Sequence, residues 1–140
     1  MVEIKLGNRS ATKAFAQHLA VNLKPGSIVT FSGDLGAGKT FICREIIRTI
    51  CGMNTIVSSP TFNVLQRYQA DTFAIYHFDL YRLRDSSEIY ELGIEDAWQQ
   101  NICLIEWPEL IEAIIPRPYI SIRITMNANL ERIISVVNLL

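Results

Sequence analysis

The sequence predicts an α/β fold: one domain over residues 1–140, with a mixed central sheet whose parallel core carries antiparallel strands and is flanked by helices. Three observations carry this expectation. Residues 28–50 read IVTFSGDLGAGKTFICREIIRTI, a strand, a glycine-rich turn and an amphipathic helix in immediate succession. Residues 64–68 and 73–80 are strand-like runs joined across Gln69-Ala70-Asp71-Thr72, a connection that favours an antiparallel hairpin. Residues 119–125 alternate cleanly, and 133–137 can pair with them across 126–130.

The remaining elements follow in order. Residues 2–6 alternate apolar and polar, as an edge or half-buried strand does. Ser10 is the expected N-cap of a helix with Phe15, Leu19 and Leu23 on one face, ending before the Pro25-Gly26 turn. His18, at the margin of that face, reads as a surface histidine. In the helix after the glycine-rich turn, Ile42, Cys43, Ile46, Ile47 and Ile50 share one arc, with Arg44, Glu45 and Arg48 opposite. Gly52 closes it. Residues 55–58 are read as a short strand running into Ser59-Pro60-Thr61-Phe62-Asn63, where Pro60 imposes an ordered loop. In 73–80, Phe73, Ile75, His77 and Asp79 share one face, and Ala74, Tyr76, Phe78 and Leu80 the other.

Asp85 or Ser86 is expected to cap a short helix through Leu92, stopped by Gly93. A further helical turn is expected at 95–100, a buried strand at 102–105, and a short helix at 109–115. No repeat, low-complexity tract or linker interrupts the chain, and no stretch suits a second domain or a substantial lid.

Composition narrows the class. A chain of 140 residues buries a real core, and its 49% hydrophobic and 19% charged content is ordinary for a soluble globular protein. No basic region precedes an apolar core and no apolar run nears 18 residues, so a cytoplasmic protein without membrane association is expected. Cys43, Cys51 and Cys103 lack C-x-x-C spacing and read as buried reduced thiols. A net charge of −1 gives no basic excess, hence no independent warrant for nucleic-acid binding.

The chemistry concentrates at the glycine-rich turn. Gly33, Gly38, Lys39 and Thr40 fit G-x-x-x-x-G-K-[ST], the phosphate loop, between the strand and helix it requires. Gly33, Gly36 and Gly38 free the backbone to aim successive N–H groups at a phosphate, and the helix N-terminus favours an anion. Lys39 is expected to point at the β/γ-phosphates rather than the core, and the Thr40 hydroxyl at Mg²⁺. The nucleotide site is thus expected at Gly33, Asp34, Leu35, Gly36, Ala37, Gly38, Lys39, Thr40 and Phe41.

Such a loop needs an acid at a neighbouring strand end. Glu106 follows the apolar run 102–105 and resembles a Walker B acid, with Glu in place of Asp. Asp79 ends the run 73–80 and reads equally as a second site acid or as a solvated carboxylate. Thr61 is either a γ-phosphate or Mg²⁺ contact or part of an ordinary Pro-Thr turn. Arg82 either supplies transition-state charge or pairs with Asp85 or Glu88 at the surface. Trp107 either stacks near a nucleotide or packs under the sheet.

GDLGAGKT at 33–40, SPTFN at 59–63, HFDLYR at 77–82, ELGIED at 91–96 and LIEWPE at 104–109 occur in order. Together they resemble the TsaE (YjeE) family of small bacterial P-loop ATPases over nearly the whole chain. The resemblance implies an ATPase working with the TsaB–TsaD complex, which transfers a threonylcarbamoyl group to the tRNA adenosine beside the anticodon, so tRNA is met through the complex. It implies ATP and Mg²⁺, phosphate binding by Lys39 and Thr40, and a switch-like loop at Thr61. It also implies Asp79 and Glu106 in the metal and attacking-water site, with Trp107 near the nucleotide. The C-terminal strands carry little motif information.

ATP is expected rather than GTP, since the chain lacks N-K-x-D and the resembled family hydrolyses ATP. Two rivals use the same loop. A small-molecule kinase is disfavoured by the lack of an evident lid, and a nucleotide-gated binding module would make hydrolysis incidental.

Overall fold

The computed structural model describes residues 1–34 and 36–139. In chain order the elements are β1 (Val2–Leu6), α1 (Arg9–Val21), β2 (Ile28–Gly33), α2 (Lys39–Cys51), β3 (Leu65–Gln69) and β4 (Ala74–Asp79). They continue with α3 (Ser87–Glu91), α4 (Ile94–Gln100), β5 (Ile102–Glu106), a 3₁₀ segment (Pro108–Ile114), β6 (Tyr119–Met126) and β7 (Arg132–Leu139).

The strands form one mixed sheet in the order β1-β7-β6-β2-β5-β4-β3. Strand β2 runs parallel to both neighbours, β5 and β6, and β4 runs parallel to β5. The outer pairs β1–β7, β6–β7 and β3–β4 are antiparallel. The apolar runs of β2 and β5 are explained by burial on both faces. Alternation sorts their side chains between two cores. Val29, Phe31 and Leu104 pack with Ile42, Ile46 and Ile47 of α2. Ile28, Phe78 and Ile105 pack with Ile89, Ile94 and Ile111 on the opposite face. Parallel register sets Asp79 opposite Glu106, so both strands deliver an acid at the same end of the sheet.

Four local expectations are corrected. Asn8, not Ser10, caps α1: its Oδ1 accepts the Ala11 N–H at 2.8 Å, and the helix begins at Arg9. Glu45 is buried rather than solvent-facing, so the covered arc of α2 is wider than its apolar residues. Residues 55–58 join no ladder; side chains serve their backbone instead, Arg48 Nε donating to Thr55 O and the Tyr68 hydroxyl bridging Ser58 N and O. The helix after Trp107 is a 3₁₀ segment starting at Pro108, whose missing N–H suits a first turn.

Gly33 ends β2 with φ +133°, and a Cβ there would lie 2.1 Å from the Ile124 carbonyl oxygen. Backbone strain and collision with a ladder carbonyl act together. Gly33→Ala is therefore expected to cost about 3 kcal/mol or more, read as a lowered urea midpoint. An unchanged midpoint would show that the strand end relaxes freely.

Candidate functional site

The loop between β2 and α2 lies at the sheet end where both acids emerge. Gly38 has φ +109°, and a Cβ on it would meet Arg132 Nε at 2.8 Å, so an arginine packs where a side chain would otherwise stand. That Arg132 Nε donates to Ala37 O at 3.0 Å, bracing the loop from β7. The first N–H groups of α2 have no intrahelical partner.

Lys39 is folded across its own loop. Its Nζ donates to Gly33 O at 2.8 Å and Asp34 O at 2.6 Å, and lies 4.3 Å from the centroid of the Trp107 ring. The side chain is buried at the edge of the cleft, drawn down against its own loop. Burial lowers its pKa from the ordinary lysine value, while Glu106, Glu109, Asp34 and Asp79 act in the opposite direction.

Glu106 is held at both oxygens. The Thr40 hydroxyl donates to Oε1 at 2.8 Å, and His77 Nε2 lies 2.6 Å from Oε2. Asp79 accepts the Thr61 hydroxyl at Oδ2, 3.2 Å, and the Tyr81 N–H at Oδ1, 3.1 Å. Burial raises the Asp79 pKa from the ordinary carboxylate value; Glu106 adds to this, and the hydrogen bonds from Tyr81 and Thr61 oppose it. Two buried carboxylates side by side repel, and a cation between them removes that repulsion.

These groups share a cleft of about 310 Å³ lined by Gly36, Gly38, Lys39, Thr40, Phe41, Thr61, Asp79, Tyr81, Arg82, Glu106 and Trp107. Trp107 faces the cleft rather than the underside of the sheet, its ring 4.8 Å from that of Tyr81. Arg82 does not make the surface pair that is one of its two readings. Its guanidinium sits 4.5 Å over the exposed Phe62 ring, and among the described residues neither Asp85 nor Glu88 pairs with it. Of the other predicted loop residues, Gly33 and Asp34 contribute carbonyls to Lys39, and Ala37 is buried against Arg132. Leu35 lies outside the described residues.

Thr40, Asp79 and Glu106 offer a hydroxyl and two carboxylates, the hard oxygen donors that suit Mg²⁺. A second cluster lies deeper, where Cys43, His77 and Glu106 bring ligand-type atoms within 4.8 Å of one another, all buried. It suits a metal poorly. Burial, then Glu106 and Asp79, push the Cys43 thiol far up, against the thiolate a metal needs.

Sequence reasoning assigned no role to His77, Tyr81 or Arg132. His77 had a signal, since alternation sets it on the Asp79 face. Arg132 had none, because its contact with Ala37 joins segments 95 residues apart.

Central parallel strand, glycine-rich loop, helix and strand-end acids give this chain the architecture of a P-loop domain. Residues 6–134 match the family model described as threonylcarbamoyl adenosine biosynthesis protein TsaE. The tRNA threonylcarbamoyladenosine biosynthesis protein TsaE of Rickettsia conorii is 51% identical over 132 residues, covering 94% of this chain and 75% of that protein. The TsaE of Bacillus subtilis is 39% identical over 126 residues, 89% of this chain and 78% of that protein. The crystal structure of Bacillus subtilis YdiB superposes with a TM-score of 0.81 at 29% identity, covering 99% of this chain and 85% of that one. The chain belongs to the TsaE family. No helix among the described residues is long and apolar enough to cross a membrane.

Proposed function

We propose that this protein is a cytoplasmic Mg²⁺-dependent ATPase supporting threonylcarbamoyl transfer to the tRNA adenosine beside the anticodon. It acts with the TsaB–TsaD complex and meets tRNA through that complex. The observation that supports this best is the meeting of Lys39, Thr40, Asp79 and Glu106 at one cleft in a chain of the TsaE family.

The N–H groups at the start of α2 and the Lys39 ammonium hold the ATP phosphates, with Trp107 and Phe41 on the cleft walls beside them. Lys39 must then leave the Gly33 and Asp34 carbonyls, so nucleotide binding loosens the loop's resting contacts. Thr40, Asp79 and Glu106 would hold Mg²⁺, which when bound supplies positive charge against the β- and γ-phosphates. The Thr61–Asp79 bond ties the SPTFN loop to the acid, so a change at Asp79 is felt by that loop. Arg82 lines the cleft but rests on Phe62, itself 78% exposed, so among the described residues nothing aims it at a phosphate.

Partner dependence follows. A well-placed arginine is worth roughly 10³–10⁵ in rate in P-loop enzymes. ATP turnover is expected to be weak for the protein alone and to rise as TsaB, TsaD and tRNA are added, most with all three. Reconstituted tRNA modification, with and without this protein, measures the same coupling from the product side. An isolated rate near about 10 s⁻¹, indifferent to partners, would overturn the dependence. No hydrolysis under any condition would overturn the ATPase reading.

A further inference from the structure

The Glu106 carboxylate is gripped from the cleft by Thr40 and from the core by His77. We propose that His77 is a positioning residue, which fixes the Glu106 carboxylate for the divalent cation; this rests on the ATPase reading above.

The sheet register places it. His77 pairs with Leu104 and Asp79 with Glu106 across the parallel β4–β5 ladder, so His77 lies one pleat behind the acids on the same face. From there its Nε2 reaches Glu106 Oε2 at 2.6 Å, with 0% and 2% of the two side chains exposed. On that face His77 lies between Ile75 and Asp79, fully buried beside Cys43 of α2. An imidazole there is costly unless it is bonded, and Glu106 is the bond it makes.

The proton's place follows from the network. Glu106 accepts from Thr40, and an Nε2–H donating to Oε2 lets it accept at both oxygens. Among the described residues nothing bonds the buried His77 Nδ1, so with the proton on Nε2 it is a bare acceptor. The other tautomer would bury an unpaired N–H and set two acceptors face to face at 2.6 Å.

The bond matters because the acid is Glu rather than Asp. The extra methylene adds a torsion, and the Thr40 bond alone leaves the carboxylate free to pivot about Oε1. His77 removes that pivot. One oxygen stays on Thr40 and the group keeps a fixed orientation toward the cleft, with no reorganisation needed when the cation arrives. Partners of this kind behind a metal ligand are typically worth about 10–100-fold in metal affinity or activity.

Two substitutions test it. His77→Leu keeps bulk and removes the donor; His77→Gln keeps an Nε2–H at similar reach. Four quantities are measured for each: single-turnover ATP hydrolysis, the Mg²⁺ concentration giving half-maximal rate, nucleotide affinity in EDTA, and the melting temperature. For His77→Leu the expected result is a rate lower by about 10–100-fold and a higher Mg²⁺ requirement, with nucleotide affinity in EDTA unchanged. His77→Gln is expected to recover most of the loss. If His77→Leu does not fold, His77→Asn, whose amide falls short of Glu106, replaces it in the comparison with His77→Gln. Wild-type rate and Mg²⁺ dependence in His77→Leu overturn the proposal alone. So do equal losses in the donor-bearing and donor-less variants, with EDTA affinity falling in step. A wild-type protein that hydrolyses no ATP overturns the ATPase reading, and this role with it.

Discussion

Lys39→Ala is expected to abolish useful Mg-ATP binding while leaving a folded protein. Truncating one member of a buried, hydrogen-bonded charge pair costs about 2–5 kcal/mol, or roughly 30- to several-thousand-fold in Kd. Lys39 is 5% exposed and already desolvated against Trp107, so its ammonium meets a phosphate with little water left to strip. Stability falls too, because the substitution leaves the Gly33 and Asp34 carbonyls without their charged donor. That loss is limited to about 1–3 kcal/mol, since Asp34 lies at the surface and water can replace the ammonium. Thermal melts with and without Mg-ATP separate the two effects. The variant should melt somewhat below wild type and show no rise with ligand, where the wild type rises. Wild-type affinity in the variant would remove Lys39 from the site.

Local patterns were the readable part of this chain. The strand, loop and α2 are contiguous, and both hairpins announce themselves by alternation across short connections, so the mixed α/β class could be read without knowing any distant pairing. The faces of β4 were equally readable, down to His77 and Asp79 on one side. What alternation cannot supply is the neighbour. That β5 lies beside β4, in a register setting Asp79 against Glu106, is a non-local fact, and the His77–Glu106 contact spans 29 residues.

Competition between equivalent groups accounts for the local misses. Asn8 and Ser10 both suit an N-cap, and the extended backbone of Asn8, φ −157°, decides between them. Residues 55–58 have the β-branched composition of a strand, yet a strand needs a partner, and the ladder ends at β3. Arg82 had two acids within a few residues, but Glu88 accepts the backbone N–H groups of Arg84 and Asp85, and Asp85 accepts that of Ser87. With those carboxylates engaged in the turn into α3, the guanidinium stacks on Phe62 instead.

Glu106→Gln and Asp79→Asn are expected to cut turnover far more than nucleotide binding, with little loss of stability. Both delete a charge at the cleft while keeping shape, and loss of a group positioned for metal or proton work typically costs about 10²–10⁴ in rate. The surroundings then separate them. Glu106 accepts from Thr40 and His77 at once, whereas an amide has one acceptor oxygen, so its NH₂ must face one of the two donors. Thr40 can rotate its hydroxyl to accept; His77 can turn acceptor only by moving its proton to Nδ1, which is buried and, among the described residues, unpartnered, so the NH₂ faces Thr40. With its oxygen on His77 and its NH₂ on the turned Thr40 hydroxyl, the Gln side chain satisfies both partners in one orientation, so Glu106→Gln should melt close to wild type. Asp79 differs because burial already disfavours its charged form. Asparagine removes that burden, its Oδ1 still accepts the Tyr81 N–H, and the Thr61 hydroxyl can turn to accept the new NH₂. Asp79→Asn should melt at or above wild type. Single-turnover hydrolysis, nucleotide Kd and melting temperature, measured on both variants, check all three statements. A variant that hydrolyses ATP at the wild-type rate would remove its acid from the reaction, and a Glu106→Gln protein much less stable than wild type would contradict the single orientation that satisfies both partners.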